Sequence, residues 1–129
     1  MKNNHQILES IKIKGDGCFL PHMSSLKKSI YFFKYDIIID NNSNIEVKLL
    51  SRYWIIKDAN NNKEIIEGKG VVGKQPVLKV DDSYQYTSFC PLKTSFGSMK
   101  GFYTFCDKNG VKFISEIPEF SLVVPDDIN

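Results

Sequence analysis

The chain has 129 residues, is 42% hydrophobic and 25% charged, and carries a formal net charge of +2. That length suits one domain, residues 1–129, able to bury about two-thirds of the surface its unfolded chain exposes, without disulfide or metal staples. The charge is too small to demand nucleic acid or a membrane surface, no run approaches the ~18 apolar residues of a membrane span, and MKNNHQILES lacks the apolar core of a secretory leader, so a soluble, cytoplasmic protein is expected.

Residues 1–6 and 126–129 are expected to be loose ends. Ile7 to Lys14 ends in alternation, with Ile11 and Ile13 on one face. The following GDGCFLPHMSSLKKS holds Gly15, Gly17 and Pro21 and reads as a loop or irregular edge. Ile30 to Ile39 is aromatic and β-branched, apolar on both faces near its middle, which suits a central strand. Asp40 to Asn44 is a turn. From Ile45 to Lys57, Ile45, Val47 and Leu49 face one way and Glu46 and Lys48 the other. Past Leu50 both faces become apolar, with Arg52 interrupting one of them and Trp54 as the expected core anchor. Asp58 to Asn62 turns the chain into a short strand, Lys63 to Glu67.

Beyond a glycine-rich stretch, Val77–Val80 and Tyr84–Thr87 flank the turn Asp81-Asp82-Ser83. Met99 to Asp107 places Met99, Gly101, Tyr103 and Phe105 on one face. Lys108-Asn109-Gly110-Val111 carries the strongest hairpin signal, since Asn-Gly tolerates the positive φ angles of a type I′ turn. On the return strand Val111, Phe113 and Ile117 keep odd phase, whereas Phe120, Leu122 and Val124 are even. A phase change at Pro118 predicts a kink or bulge where the strand changes sheet partner. No dozen-residue window has helical periodicity, and Ser24 to Ser29 is too short to stand alone. About seven or eight strands at short spacing argue for an all-β fold, an antiparallel β-sandwich, with a barrel as the alternative.

Glu67 to Pro76 reads EGKGVVGKQP and matches two nucleotide patterns. Gly68, Gly70 and Gly73 satisfy G-x-G-x-x-G; Gly68 to Lys74 satisfies G-x-x-x-x-G-K without the final hydroxyl residue. Both devices need a helix opening after the turn, so that its N–H groups and dipole meet the phosphate. Here VLKVDDSYQYTS follows, with strand character, and Gln75 supplies no hydroxyl for Mg²⁺. A Rossmann or P-loop site is therefore not expected. A helix-free alternative is a nest of consecutive glycine-loop N–H groups, flanked by Lys69 and Lys74 and faced by Arg52. Gly68, Lys69, Gly70, Gly73, Lys74 and Arg52 are accordingly the candidate anion-binding residues. Arg52 also has a structural reading beside Trp54, paired with Glu67 or Asp58.

No catalytic set assembles from the sequence. The only histidines are His5 and His22, and the cysteines Cys18, Cys90 and Cys106 form no C-x-x-C pair. Reduced structural thiols are expected. Asp81/Asp82 and Asp126/Asp127 read as solvated loop charge, and neither carboxylates nor His and Cys are clustered for a metal. No catalytic residue, cofactor or metal is assigned.

The strings LLSRYWIIKDANN, EGKGVVGKQPVL, YQYTS, TSFGSMKGFY and FISEIPEFSLVVP recur in the order of a known family. The chain resembles the ApaG domain family, also known by the name CorD, over roughly residues 30 to 125. The resemblance implies a fibronectin type III-like or immunoglobulin-like β-sandwich, an association with cobalt and magnesium resistance, and a non-enzymatic protein-interaction role. Family positions transfer to Arg52, Trp54, Gly68, Gly70, Gly73, Gln75, Pro76, Met99 and Gly101. Tyr53 stands where many members have histidine, so chemistry assigned to that histidine is not expected here. Val80-Asp81-Asp82 departs from a Pro-Gly-Glu turn. The expected partner is another protein, with a phosphate-containing small molecule at residues 68–74 as the alternative. Neither nucleic acid nor membrane is expected, and the chain is expected as a monomer or weak homodimer.

Overall fold

The computed structural model describes residues 6–125. The loose ends expected at 1–6 and 126–129 fall outside those residues except for Gln6, which is ordered in a short strand. The strands are β1 (Gln6–Ile7), β2 (Ile11–Phe19), β3 (Tyr31–Asn41), β4 (Val47–Asp58), β5 (Lys63–Lys69), β6 (Val77–Leu78), β7 (Ser83–Leu92), β8 (Phe96–Cys106) and β9 (Lys112–Val123). One turn of 3-10 helix at Pro21–Met23 carries proline at its start, where a missing N–H is harmless.

The strands form a β-sandwich. The larger sheet runs β1-β9-β8-β4-β5 with β6 added to β4; the smaller runs β2-β3-β7. Alternation decides what enters the core: Phe33, Tyr35, Ile37 and Ile39 of β3 meet Leu49, Trp54 and Ile56 of β4 and Met99, Tyr103 and Phe105 of β8. Trp54 is 2% exposed, with Tyr35, Tyr103 and Phe120 edge-on to it at ring distances of 5.4, 6.3 and 6.0 Å. β5 extends past the cover of the smaller sheet, and every residue in it except Gly68 is exposed.

The expected antiparallel β-sandwich is formed, with only the two-residue β1 running parallel to its neighbour β9. Several local expectations are corrected. Of the loop or irregular edge expected from Gly15 onward, the edge is found and the loop is not, up to Phe19: β2 is an edge strand that continues through Gly15 and Gly17, paired with β3. A Cβ at Gly15 would lie 2.4 Å from the Phe120 ring and one at Gly17 2.5 Å from Leu122. Glycine there admits β9 side chains rather than making a turn. The Asn109-Gly110 hairpin is not type I′. Gly110 N–H donates to Asp107 O at 3.1 Å and Gly110 alone in the turn takes a positive φ, the pattern of a three-residue loop with a bulge. The bulge predicted near Pro118 exists, as the β8 register shifts between Met99 and Gly101, but β9 keeps β8 as its partner on both sides. Asn41 is not a surface turn residue. It is fully buried, and its amide nitrogen donates to the carbonyls of Ile45, Leu78 and Lys79 at 2.9, 3.0 and 3.1 Å.

Candidate functional site

The glycine-rich stretch is the end of β5 and a tight hairpin laid back on β4. Val71 and Lys74 exchange backbone hydrogen bonds of 2.8 and 2.9 Å around Val72 and Gly73. Those central residues have φ of 47° and 77°, the positive pair a type I′ turn requires. The hairpin is fastened at a β-bulge, where the β4–β8 register shifts between Leu49 and Ser51. There the Leu50 carbonyl accepts from the Gly70 N–H at 2.8 Å and from Gln75 Nε2 at 2.9 Å, and the Leu49 N–H donates to Pro76 O at 2.9 Å. After Pro76 the backbone stays extended as β6. No helix follows the glycines, and neither phosphate-binding device is built.

Arg52 lies opposite Gly68 in the β4–β5 ladder. A Cβ on Gly68 would meet guanidinium atoms at 2.9–3.0 Å, so the missing side chain is the space the arginine occupies. From there Arg52 Nη1 donates to Lys69 O and Gly70 O, each at 3.1 Å. The expected pairing with Glu67 or Asp58 is not formed; the ion pairs among the described residues are Lys34–Asp36 and Lys108–Glu46. Of the candidate anion residues, Arg52 is thus brought against Gly68 and the carbonyls of Lys69 and Gly70. Lys69, Gly73 and Lys74 sit on the exposed side. The N–H groups of Gly70 and Val71 and that of Lys74 all donate within the protein. An anion at this loop would therefore meet lysine charge and the turn amides of Val72 and Gly73, not those of Gly70, Val71 or Lys74.

Beneath Arg52 lies a polar seam in the core. Arg52 pairs in register with Tyr103, whose hydroxyl is hydrogen-bonded to that of Tyr86. Burial raises the pKa of both phenols, against a smaller opposing pull from the arginine charge. Trp54 Nε1 is buried nearby without a hydrogen-bond partner.

The remaining titratable candidates are dispersed. His5 lies outside the described residues and His22 is exposed in the 3-10 turn. Cys18 is exposed, Cys106 half-buried and Cys90 buried, its thiol pushed up to about 12 chiefly by burial. A thiol so shifted stays protonated at neutral pH and is a poor nucleophile. Among the described residues no group of His, Cys, Asp and Glu converges as a metal site, and no helix is long and apolar enough to cross a membrane.

The outer face of the larger sheet is a feature that no motif in the sequence marks. Tyr53 and Ile55 alternate with buried Trp54 and Ile56, so they point away from the core. Tyr53 stacks on Phe102 of β8 with ring centroids 4.8 Å apart and an interplanar angle of 12°. Ile65 of β5 pairs with Ile55, and Ile7 of β1 with Ile114 of β9. Ile65 is 47% and Ile7 66% exposed, giving the sheet an apolar band uncovered at both ends. A groove of about 650 Å³ runs from it to the start of β2, lined in part by Ile7, Ile11, Ile55, Phe102, Ile114 and Pro118, with Lys12, Lys100 and Glu116 among its charged lining residues. The signal was present in the sequence, where both faces turn apolar past Leu50.

Comparison with known proteins agrees with this architecture. The ApaG domain matches residues 21–107. Protein ApaG of Brucella abortus strain 2308 is 45% identical over 120 residues, 93% of this chain and 92% of that protein. Protein ApaG of Dechloromonas aromatica is 45% identical over 107 residues, covering 83% of this chain and 84% of its own. Among solved structures, the ApaA protein of Bordetella pertussis superposes with a TM-score of 0.87 at 33% identity, over 94% of this chain and 98% of that one.

Proposed function

The chain belongs to the ApaG domain family, and on that premise we propose that it is a non-enzymatic module that binds another protein through the outer face of its larger sheet. The observation that carries this reading is the half-buried Tyr53–Phe102 stack within an outer-face apolar band that includes Ile55 and Ile114, also half-buried, and ends in exposed Ile7 and Ile65. An aromatic pair with an aliphatic surround and a charged rim (Lys100, Glu116) has the composition of an interface core. On this reading the cobalt and magnesium tolerance implied by the family name is exerted through the partner, with no ion held by the module itself.

The test compares capture by the wild-type chain with capture by Phe102→Ser and by Tyr53→Ser, each first shown to melt like wild type. Proteins retained by wild type and lost from both variants identify the face. A partner set unchanged by either substitution overturns the reading.

A further inference from the structure

We propose that β5 is a self-association edge, at which two copies of this chain pair antiparallel about a two-fold axis centred on Ile65. The site lies beyond the outer-face reading above and does not depend on it.

The ladder fixes which groups β5 offers. Gly70 N–H donates to Leu50 O at one end of the β4–β5 pairing, and Asp58 N–H donates to Asn62 O at the other. Between Lys63 and Lys69 the register is continuous. Hydrogen-bonded pairs recur every second residue in an antiparallel ladder, so even-numbered β5 residues bond inward to β4. Lys63, Ile65 and Glu67 therefore turn both N–H and C=O toward the open side, while the Lys69 carbonyl is already held by Arg52 Nη1. β5 ends its sheet, has no bulge against β4, contains no proline and is exposed on both faces. Of the usual devices that block an edge it has only charge.

Charge also selects one register. Two copies can pair only odd residue with odd residue, since those carry the outward groups. A two-fold axis at Glu64 or at Glu67 sets that glutamate against its own copy, and an axis at Ile66 sets Lys63 against Lys69. Like charges directly opposite are destabilising. An axis at Gly68 opposes Glu67 to Lys69 but pairs only residues 67–69 of the strand. With the axis at Ile65, Lys63 faces Glu67 of the second copy and Glu67 faces its Lys63, with the two Ile65 side chains between them. Each of these pairs exchanges both of its N–H···O bonds. All these side chains lie on the outer face, so Ile55 and Ile65 of one copy continue the apolar band into the other.

Sedimentation velocity from micromolar to about millimolar protein tests this. Wild type is expected to shift from monomer toward dimer with concentration, less so at high salt. Lys63→Glu and Glu67→Lys should each sediment as monomers over the same range. An equimolar mixture of the two should regain the dimer, because both carboxylates of the first variant then meet ammonium groups of the second across the axis. Ile65→Pro removes an outward N–H without touching the β4 ladder, and should be monomeric with an unchanged far-UV spectrum. A wild-type chain that stays monomeric to the highest concentration overturns the proposal. So does a dimer that survives in Lys63→Glu and in Ile65→Pro.

Discussion

Val72 is a β-branched residue held at φ 47°, in a turn where it is 59% exposed. The left-handed region costs an L-residue about 1–2 kcal/mol, because Cβ crowds the following carbonyl, and branching at Cβ places valine among the worst fits. Exposure means that little burial is forfeited by replacing it. Val72→Asn supplies a side chain that tolerates this conformation and, with Gly73, creates the Asn-Gly pair that type I′ turns favour. The expected gain is about 1 kcal/mol, which for a chain of this size raises Tm by about 3–5 °C. Val72→Gly should gain less, since glycine's freedom in the unfolded chain gives back about 0.4–1 kcal/mol. Thermal melts followed by far-UV circular dichroism, with urea unfolding to confirm an unchanged m-value, read both effects. Val72→Ile, which keeps the branch, is the control and should melt with wild type. If Val72→Asn melts at or below wild type, the turn is not strained at this position and the reasoning fails.

Asn41→Asp should destabilise by about 2–4 kcal/mol, because a carboxylate cannot donate to the buried carbonyls of Ile45, Leu78 and Lys79; a urea midpoint within error of wild type would show that the amide does not anchor this corner. Burial holds the Cys90 thiol above its ordinary 9.0 and the Tyr86 and Tyr103 hydroxyls above 10.0. The folded chain therefore keeps protons that the unfolded chain releases, and stability from these groups is full below pH 9 and declines as pH rises from 9 toward 12. Urea midpoints that stay flat to about pH 11 would contradict that linkage. Pyrophosphate titration followed by amide NMR should leave the Gly70, Val71 and Lys74 signals nearly still, since their N–H groups are already bonded; large saturable shifts at those residues would show that the loop holds an anion through them.

What could be read from the letters was whatever depends on alternation. β3 and β4 show it: Phe33, Tyr35, Ile37 and Ile39 keep one phase, and Trp54 is anchored where the pattern puts it. Residues whose role is set by a distant strand were not legible. Gly15 and Gly17 look like punctuation locally, yet their function is to make room for Phe120 and Leu122, at the far end of the chain. Asn41 looks like a turn residue, but its acceptors include Leu78 and Lys79, which no local window contains. The Asn109-Gly110 turn failed differently, because loop length outweighed dipeptide preference once Asp107 Oδ1 bonded the amides of Asn109 and Val111.

The glycine stretch joins these lessons to function. Gly68, Gly70 and Gly73 stand at nucleotide-loop spacing, but each answers a separate constraint. Gly68 yields space to the Arg52 guanidinium, Gly70 passes within reach of Lys74 O where a Cβ would lie 2.3 Å away, and Gly73 turns the hairpin at φ 77°. A phosphate loop needs its amides left unpaired until the ligand arrives. Here the amides of Gly70, Val71 and Lys74 are taken up by Leu50 and by the hairpin itself. The same spacing thus serves to fasten β5 and β6 to the bulge in β4, leaving β5 as a regular strand at the margin of the sheet. On the proposed reading recognition falls to the sheet's outer face and edge, so substitutions at Tyr53, Phe102 or Lys63 should alter partner capture or sedimentation, where substitutions at Gly68 or Arg52 should lower the melting temperature.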